Sequence, residues 1–132
     1  MQISNIYELY YVSPQITLMD MEFLLKKGFK KIICNRPDFE VPPNIQSNVI
    51  AKSALEIGIS FEYHPLTFEN MYAENIEKQM AFIEESESPV LAYCTSGTRS
   101  AAIWALGQTG KMSRGEILKT TLAGGYNLQG LL

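Results

Sequence analysis

Hydrophobic and polar residues follow two different periods along this chain, and the two periods alternate. Aromatic and β-branched runs typical of strands occur within residues 7–12, 30–38, 59–66 and 90–94. Apolar residues at helical spacing separate these runs, at residues 17–28, 47–58 and 75–86, and a further helical stretch begins at residue 100. This alternation predicts an α/β fold with a mostly parallel central sheet and helices on both of its faces.

The first two predicted helices carry their own start and stop signals. Thr17 and Ser47 stand where an N-cap residue is expected, because their hydroxyls can accept a hydrogen bond from the first helical turn. Gly28 and Gly58 stand where each helix should stop, because glycine adopts the left-handed conformation at little cost. These signals predict two short, well-delimited helices in the first half of the chain.

Length and charge fit a single domain spanning residues 1–132. With 46% hydrophobic residues the chain can bury a core, and its net charge of −3 argues against nucleic acid or an anionic membrane as the main partner. No apolar run is long enough for a transmembrane helix, and the first residues lack the basic and apolar blocks of a secretory signal. We therefore expect a cytoplasmic protein, and the oligomeric state stays open.

Cysteine and histidine are scarce, which limits metal and disulfide chemistry. The chain has two cysteines, Cys34 and Cys94, and one histidine, His64. These residues supply neither a disulfide scaffold nor a set of Cys and His ligands for zinc. We expect this chain to hold no metal and no cofactor, and we assign His64 a structural role.

The segment VLAYCTSGTRSAAIWAL, residues 90–106, carries the strongest chemical signal. A predicted strand ends at Cys94, and Arg99 closes a short polar loop where a helix begins. In a parallel sheet, sites form at the carboxyl ends of strands. Backbone N–H groups, the helix dipole and the guanidinium all favour a thiolate at Cys94 and an anion beside it. The predicted anion-binding residues are Thr95, Ser96, Gly97, Thr98, Arg99 and, at the mouth of another strand, Arg36.

Four segments of the chain resemble a known family. They are YVSPQIT near the start, NRPD at residues 35–38, the cysteine segment LAYCTSGTRSAAIWAL, and AGGYNL near the end. Together they resemble the phosphatase-like domain family of the β-lactamase-hydrolase-like proteins over nearly the whole chain. The resemblance implies a three-layer sandwich like that of the dual-specificity protein tyrosine phosphatases. It implies either phosphatase or sulfur-transferase activity, and it suggests a separate metallo-β-lactamase-type protein as a partner.

The cysteine loop departs from the phosphatase pattern in length. Four residues separate Cys94 from Arg99, whereas protein tyrosine phosphatases have five, and Tyr93 stands where they carry histidine. The shorter spacing resembles the rhodanese loop, so we expect sulfur transfer through a Cys94 persulfide. The alternative is a phosphatase that acts through a phosphocysteine, on a small anionic substrate. A third hypothesis is a non-catalytic module that binds an anion or a phosphopeptide.

Several other side chains are candidates for supporting roles, each with a structural alternative. A phosphatase needs a proton donor for its leaving group, and Asp38 and Glu69 are the candidates. The structural alternative is a turn-forming residue for Asp38 and a solvent-exposed loop carboxylate for Glu69. Ser100 could ease departure of the thiolate. Arg36 could instead form a structural ion pair. Cys34, at the end of a strand expected beside that of Cys94, could act as a resolving thiol or be buried and inert.

Overall fold

Five strands form one sheet with the predicted, mostly parallel arrangement. The computed structural model describes residues 1–132, and its strands are β1 (Ser4–Tyr7), β2 (Tyr10–Ser13), β3 (Lys31–Cys34), β4 (Ser60–Tyr63) and β5 (Val90–Tyr93). Their order across the sheet is β1-β2-β5-β3-β4. Only β1 runs antiparallel to its neighbour, and every other pairing is parallel. The sheet thereby places β5 at its centre.

The five α-helices divide between the two faces of the sheet. They are α1 (Met21–Lys26), α2 (Ser47–Glu56), α3 (Ala73–Glu84), α4 (Thr98–Gly107) and α5 (Arg114–Ala123). One buried cluster joins α1 and α2 to Leu91 of β5, and the other joins α3, α4 and α5 to Val90 and Ala92. Successive residues of β5 thus point to opposite faces. The prediction of a three-layer α/β sandwich is confirmed.

Two of the predicted elements have different limits in the structure. The predicted strand at residues 7–12 is a hairpin, in which β1 and β2 are joined at Glu8, a residue with a positive φ of 50°. The helical stretch from residue 100 is two helices, and α4 begins two residues earlier, at Thr98. Hydrophobic periodicity does not reveal the turn within the hairpin or the break between the two helices, because the elements on either side of each connection are all apolar on one side.

The predicted N-cap is correct at the first helix and different at the second, while the stop predicted at Gly58 is confirmed by a φ of 83° just after α2. Thr17 accepts a hydrogen bond from the Met19 N–H, but it begins a 3₁₀ turn, Leu18–Asp20, that leads into α1. Gly28 follows α1 with a φ of 90°, as a stop residue should. Ser47 is the first residue of α2 rather than its cap, and it is held by a carboxylate from an earlier loop. That carboxylate belongs to the functional edge of the sheet.

The parallel strands end in register at one edge of the sheet. Tyr93 at the end of β5 lies opposite Ser13 of β2 on one side and Cys34 of β3 on the other, and Cys34 lies opposite Tyr63 of β4. The loops that follow β3, β4 and β5 therefore emerge side by side. No helix of the chain combines the length and apolarity needed to cross a membrane.

Candidate active site

The loop between β5 and α4 bends back on its own cysteine. Gly97, the N-cap of α4, adopts a left-handed conformation with φ 96° and ψ −10°. This turn directs the Gly97 N–H at the Cys94 Sγ, 3.1 Å away. Cys94 itself is only 1% exposed, at the base of the loop. The loop thus gives the sulfur a backbone hydrogen-bond donor at the N-terminus of a helix.

Tyr126 holds the loop from outside. Its hydroxyl donates a hydrogen bond to the Ser96 carbonyl oxygen, at 2.9 Å, and a Cβ atom on Gly97 would overlap the Tyr126 ring, with Cζ 2.8 Å away. Burial is the main cause that raises the pKa of Tyr126, and electrostatic repulsion from Cys94 is the second. Tyr126 belongs to the AGGYNL segment, which the sequence analysis used only as a family signature. Its contact with the loop depends on the path of the chain after α5, which brings Tyr126 beside Ser96 and Gly97.

Arg99 is held by the loops that follow both β3 and β4. Its Nη1 donates to Glu40 Oε2 at 2.8 Å and to the Leu66 carbonyl oxygen at 2.9 Å. Its Nη2 donates to Glu40 Oε1 at 2.8 Å and to Thr95 Oγ1 at 2.7 Å. The hydrogen bonds with Glu40 raise the pKa of Arg99, and the charge at Cys94 adds to this effect. Arg99 is therefore a fixed cation beside Cys94.

Glu40 is, after Tyr126, the second residue at this site that sequence reasoning missed. Its carboxylate forms an ion pair with Arg99 through two hydrogen bonds. This pairing lowers the pKa of Glu40, and Arg36 adds a smaller effect in the same direction. Arg36 Nε lies 3.3 Å from Glu40 Oε1, and Arg36 Nη1 donates to Gln15 Oε1 at 3.2 Å. The only signal available in the sequence was a carboxylate two residues beyond Asp38, in the same loop.

Arg36, predicted to bind an anion, is occupied by protein groups. Besides its contacts to Glu40 Oε1 and Gln15, its Nη2 donates to the Glu40 carbonyl oxygen at 3.3 Å. Its guanidinium does not line the cleft beside the cysteine loop. This arrangement is the structural ion pair that the sequence left open as the alternative.

An open cleft of about 510 Å³ is lined in part by residues of the cysteine loop. Glu40 forms part of one wall, and the exposed side chains of Phe68 and Glu69 contribute another. The cleft is lined by Glu40, Thr67, Phe68, Glu69, Thr95, Ser96, Thr98 and Arg99. The structure thus brings Glu69, one of the two predicted proton donors, to the same cleft as Arg99.

Asp38, the other predicted proton donor, is used at the start of α2. Its Oδ1 accepts a hydrogen bond from the Ser47 N–H at 2.7 Å, and its Oδ2 accepts one from Ser47 Oγ at 2.8 Å. The Asp38 backbone N–H donates to the Tyr63 hydroxyl at 2.9 Å. Asp38 does not line the cleft. Both carboxylate oxygens therefore have a structural use at the start of α2, which favours the structural alternative for Asp38 over the predicted proton donor.

Ser100 donates its hydroxyl hydrogen bond to a buried amide. Its Oγ donates to Asn35 Oδ1 at 2.8 Å, and both residues are fully buried. Asn35 and Gln79 exchange two amide hydrogen bonds of 3.0 Å, and Gln79 Oε1 lies 2.7 Å from the His64 ring. The hydroxyl of Ser100 thus takes part in the buried polar network, and its help to a leaving thiolate stays a prediction. His64 belongs to the same buried network, in keeping with its structural assignment.

Cys34 does not share the surroundings of Cys94. Its thiol donates to the Arg36 carbonyl oxygen at 3.3 Å, and burial raises its pKa to about 11. Cys34 packs with Tyr93 on the α1 and α2 face of the sheet, whereas strand alternation turns Cys94, the next residue, to the opposite side. Both thiols are free. Burial and the raised pKa favour the structural alternative for Cys34, and a resolving role stays a prediction.

Comparison with known families gives one match that spans most of the chain. The model of the β-lactamase hydrolase-like protein, phosphatase-like domain, matches residues 3–111. Two curated relatives, the β-lactamase hydrolase-like proteins of Xylella fastidiosa (strain Temecula1) and Agrobacterium fabrum, are each 28% identical to this chain over 130 residues. These alignments cover 97% of the chain but 30% of each relative, so the chain spans under a third of their length.

Solved structures agree on the fold. The crystal structure of a proposed phosphatase from Neisseria meningitidis is 34% identical, with a TM-score of 0.89 over 98% of this chain and 93% of that one. PTPMT1 is 14% identical, with a TM-score of 0.76 over 92% of this chain and 82% of that one. A mutant form of Tk-PTP is 17% identical, with a TM-score of 0.72 over 93% of this chain and 82% of that one. The last two matches establish the phosphatase-like fold alone. Together the comparisons favour a phosphatase over the sulfur transferase that the loop length predicts.

Proposed function

We propose that this chain, which belongs to the phosphatase-like domain family of the β-lactamase hydrolase-like proteins, hydrolyses phosphate monoesters with Cys94 as nucleophile. The observation that carries the proposal is the hydrogen bond of 3.1 Å from the Gly97 N–H to Cys94 Sγ, in a loop that Arg99 closes at the N-terminus of α4. A thiolate and a cation side by side bind and attack a phosphoryl group together.

The reaction has two displacements at phosphorus. In the first, the Cys94 thiolate forms an S–P bond while the P–O bond to the leaving group breaks, and the leaving oxygen takes a proton. In the second, a water oxygen attacks phosphorus, the S–P bond breaks with its electron pair returning to sulfur, and the water proton is removed. Arg99 and the loop N–H groups neutralise the charge on the phosphoryl oxygens in both steps.

Glu69 is the proposed proton donor and acceptor in these steps. It is the carboxylate in the cleft wall that has no ion-pair partner, whereas Glu40 is bound by Arg99 and Asp38 caps α2. A protonated Glu69 gives its proton to the leaving oxygen, and its carboxylate then takes one from the attacking water. A general acid of this kind contributes about 10²–10⁴-fold to the rate when the leaving group is poor.

Sulfur transfer is the second candidate, and one observation favours it. The loop holds four residues between Cys94 and Arg99, which leaves less room for a tetrahedral phosphoryl group than the five of tyrosine phosphatases. In this route Cys94 takes a sulfane sulfur from a donor such as thiosulfate, forming a persulfide and releasing sulfite. A thiol acceptor then removes the outer sulfur. No carboxylate is needed in either step.

Hydrolysis of phenyl phosphate and p-nitrophenyl phosphate separates the two candidates. With Cys94→Ser we expect hydrolysis of both esters to fall by on the order of 10³-fold or more, while the matched Cys34→Ser control keeps its activity. Glu69→Gln should slow phenyl phosphate by about 100-fold and p-nitrophenyl phosphate much less, because the second leaving group needs less protonation.

Intact-protein mass after incubation with thiosulfate completes the experiment. The phosphatase proposal expects no added sulfur on the wild type. A stable gain of one sulfur that Cys94→Ser abolishes, together with no hydrolysis of either ester, would replace the phosphatase by the sulfur transferase. Absence of both activities would leave the anion-binding module.

A further inference from the structure

The turn that carries Glu69 is closed by a single asparagine. Residues 67–70 form a turn after β4 in which the Asn70 N–H donates to the Thr67 carbonyl oxygen at 3.2 Å. The Asn70 side chain closes the same turn again, because its Oδ1 accepts a hydrogen bond from the Thr67 N–H at 2.9 Å. Its Nδ2 donates to the Pro65 carbonyl oxygen at 3.3 Å. Asn70 therefore fixes the backbone on both sides of Glu69.

Helix α3 holds Asn70 from the other side. Asn75, in the first turn of α3, donates from its Nδ2 to the Asn70 carbonyl oxygen at 2.8 Å. Further along the same helix, Gln79 is fully buried and exchanges two amide hydrogen bonds of 3.0 Å with Asn35. The turn is thus bonded to a helix whose own position is set by the core.

The residue before the turn is bonded to the cation of the cysteine loop. The Leu66 carbonyl oxygen accepts a hydrogen bond from Arg99 Nη1 at 2.9 Å, and the Leu66 N–H donates to the Asn35 carbonyl oxygen at 2.8 Å. The Leu66 side chain is fully buried. One short segment, residues 65–70, therefore carries both a contact to Arg99 and the proposed proton donor Glu69.

The carboxylate of Glu69 has no ion pair to hold it. Its side chain is exposed at the cleft wall, and none of the salt bridges of the chain involves it. Proton transfer requires the donor and acceptor atoms to approach within about 2.6–3.2 Å, and an error on the order of 1 Å can cost about 100-fold in rate. The reach of this carboxylate therefore depends on where the turn places the backbone of Glu69.

We infer that Asn70 is the positioning residue for the proton donor, because it acts through Glu69 and does not itself line the cleft. The inference deepens the proposed function and rests on it for the role of Glu69. An amide suits this task, since its oxygen accepts from one backbone N–H of the segment while its NH₂ group donates to a carbonyl oxygen two residues earlier. With alanine in its place, the turn keeps only its backbone hydrogen bond.

The choice of leaving group separates positioning from a general loss of structure. With Asn70→Ala we expect kcat for phenyl phosphate to fall by about tenfold and kcat for p-nitrophenyl phosphate to stay within about twofold, because the second leaving group needs little protonation. Inhibition by inorganic phosphate should not change, because Arg99 and the cysteine loop are left intact. In the Glu69→Gln background, Asn70→Ala should slow phenyl phosphate no further, because the group that it positions is gone.

Two other variants complete the design. Asn75→Ala removes the outer hydrogen bond to the turn, so it should slow phenyl phosphate selectively by about threefold, and it tests the inference if Asn70→Ala does not fold. Ser86→Ala is the matched control, because the Ser86 hydroxyl also closes a turn, donating to the Ser88 carbonyl oxygen at 2.8 Å and accepting from the Ser88 N–H at 3.3 Å. This turn precedes β5, at the opposite edge of the sheet, so its loss should leave hydrolysis of both esters unchanged.

Amide hydrogen exchange gives a readout that does not depend on turnover. The Thr67 N–H should exchange at least about tenfold faster in Asn70→Ala than in the wild type. Equal slowing of both esters, further slowing in the Glu69→Gln background, or unchanged exchange at Thr67 would each overturn the inference while leaving the phosphatase proposal intact. A wild type that hydrolyses neither ester would overturn the proposed function, and the role of Glu69 with it.

Discussion

Cys34 and Cys94 end up with different chemistry although they occupy nearly equivalent places. Each lies at the carboxyl end of one of two adjacent parallel strands, and each is almost completely buried. Cys94 accepts a hydrogen bond from the Gly97 N–H, whereas Cys34 donates one to the Arg36 carbonyl oxygen. The two sulfurs are therefore held by hydrogen bonds of opposite direction, and only the one on Cys94 would persist if the sulfur became a nucleophilic thiolate, because a thiolate can only accept. The loop that follows the strand, and not the position at the strand end, therefore determines the hydrogen bonding of each cysteine.

The two loops also use their charged residues differently. After β5, a left-handed glycine turns the backbone inward and Arg99 is placed beside the sulfur. After β3, Asp38 caps α2, and Arg36 pairs with Glu40 inside the protein. The loop after β3 therefore stabilises the fold and supplies one carboxylate to the neighbouring site, while the loop after β5 carries the chemistry.

Alkylation rates should show the largest contrast between the two thiols. With iodoacetamide at pH 8, the Cys34→Ser variant reports on Cys94 and the Cys94→Ser variant reports on Cys34. Because the pKa of Cys34 is raised to about 11, its thiolate is scarce at this pH and grows only as the pH rises toward that value. We expect Cys94 to react at least about 100-fold faster.

Peptide mass spectrometry over time, on both variants and in the presence of phosphate, measures this ratio. Phosphate should slow the labelling of Cys94 and leave that of Cys34 unchanged. Equal rates at the two positions would show that the loops do not differentiate the thiols and would remove the basis of the comparison.

Much of this contrast could be read from the sequence, and the reasons for the rest are physical. Local patterns revealed the strands, most of the helices, Cys94 and Arg99, because strand, loop and helix follow one another within a single segment. Glu40 could not be found this way, because its role depends on the path of the loop after β3, which brings its carboxylate within hydrogen-bond distance of Arg99.

Asp38 and Ser100 share one feature. The sequence places each near an expected site, Asp38 at the end of a predicted strand and Ser100 directly after Arg99. Their polar atoms instead satisfy groups that the fold buries, the first turn of α2 for one and Asn35 for the other. Such needs arise only after packing and leave no periodic trace in the sequence.

Replacing Gly97 by alanine should give the next largest effect. The substitution adds a Cβ to a residue with a φ of 96°, and this atom meets the Tyr126 ring. Gly28→Ala is the matched control, because its φ is 90° but a Cβ there meets nothing within 4 Å. We expect each to lose about 1 kcal/mol or more of stability from backbone strain, with an added loss at Gly97 from the clash.

Thermal unfolding and ester hydrolysis together test this expectation. Gly97→Ala should also lose hydrolysis, because the N–H that faces Cys94 is displaced, whereas Gly28→Ala should keep it. If both variants hydrolysed phosphate esters equally well, the left-handed turn would not be what prepares Cys94.

Asp38→Ala gives the smallest expected effect and tests the structural use of the loop after β3. The substitution removes two hydrogen bonds from the start of α2 and should lower the free energy of unfolding by about 1–2 kcal/mol. Ser47→Ala, which removes only the hydroxyl contact and keeps the N–H bond of 2.7 Å, should cost less.

Because neither residue lines the cleft, kcat for phenyl phosphate should stay within about threefold of wild type, in contrast to the roughly 100-fold expected for Glu69→Gln. A loss of turnover in Asp38→Ala comparable to that of Glu69→Gln, with the fold intact by circular dichroism, would return Asp38 to the reaction. The loop after β3 would then share the chemistry that the comparison assigns to the loop after β5.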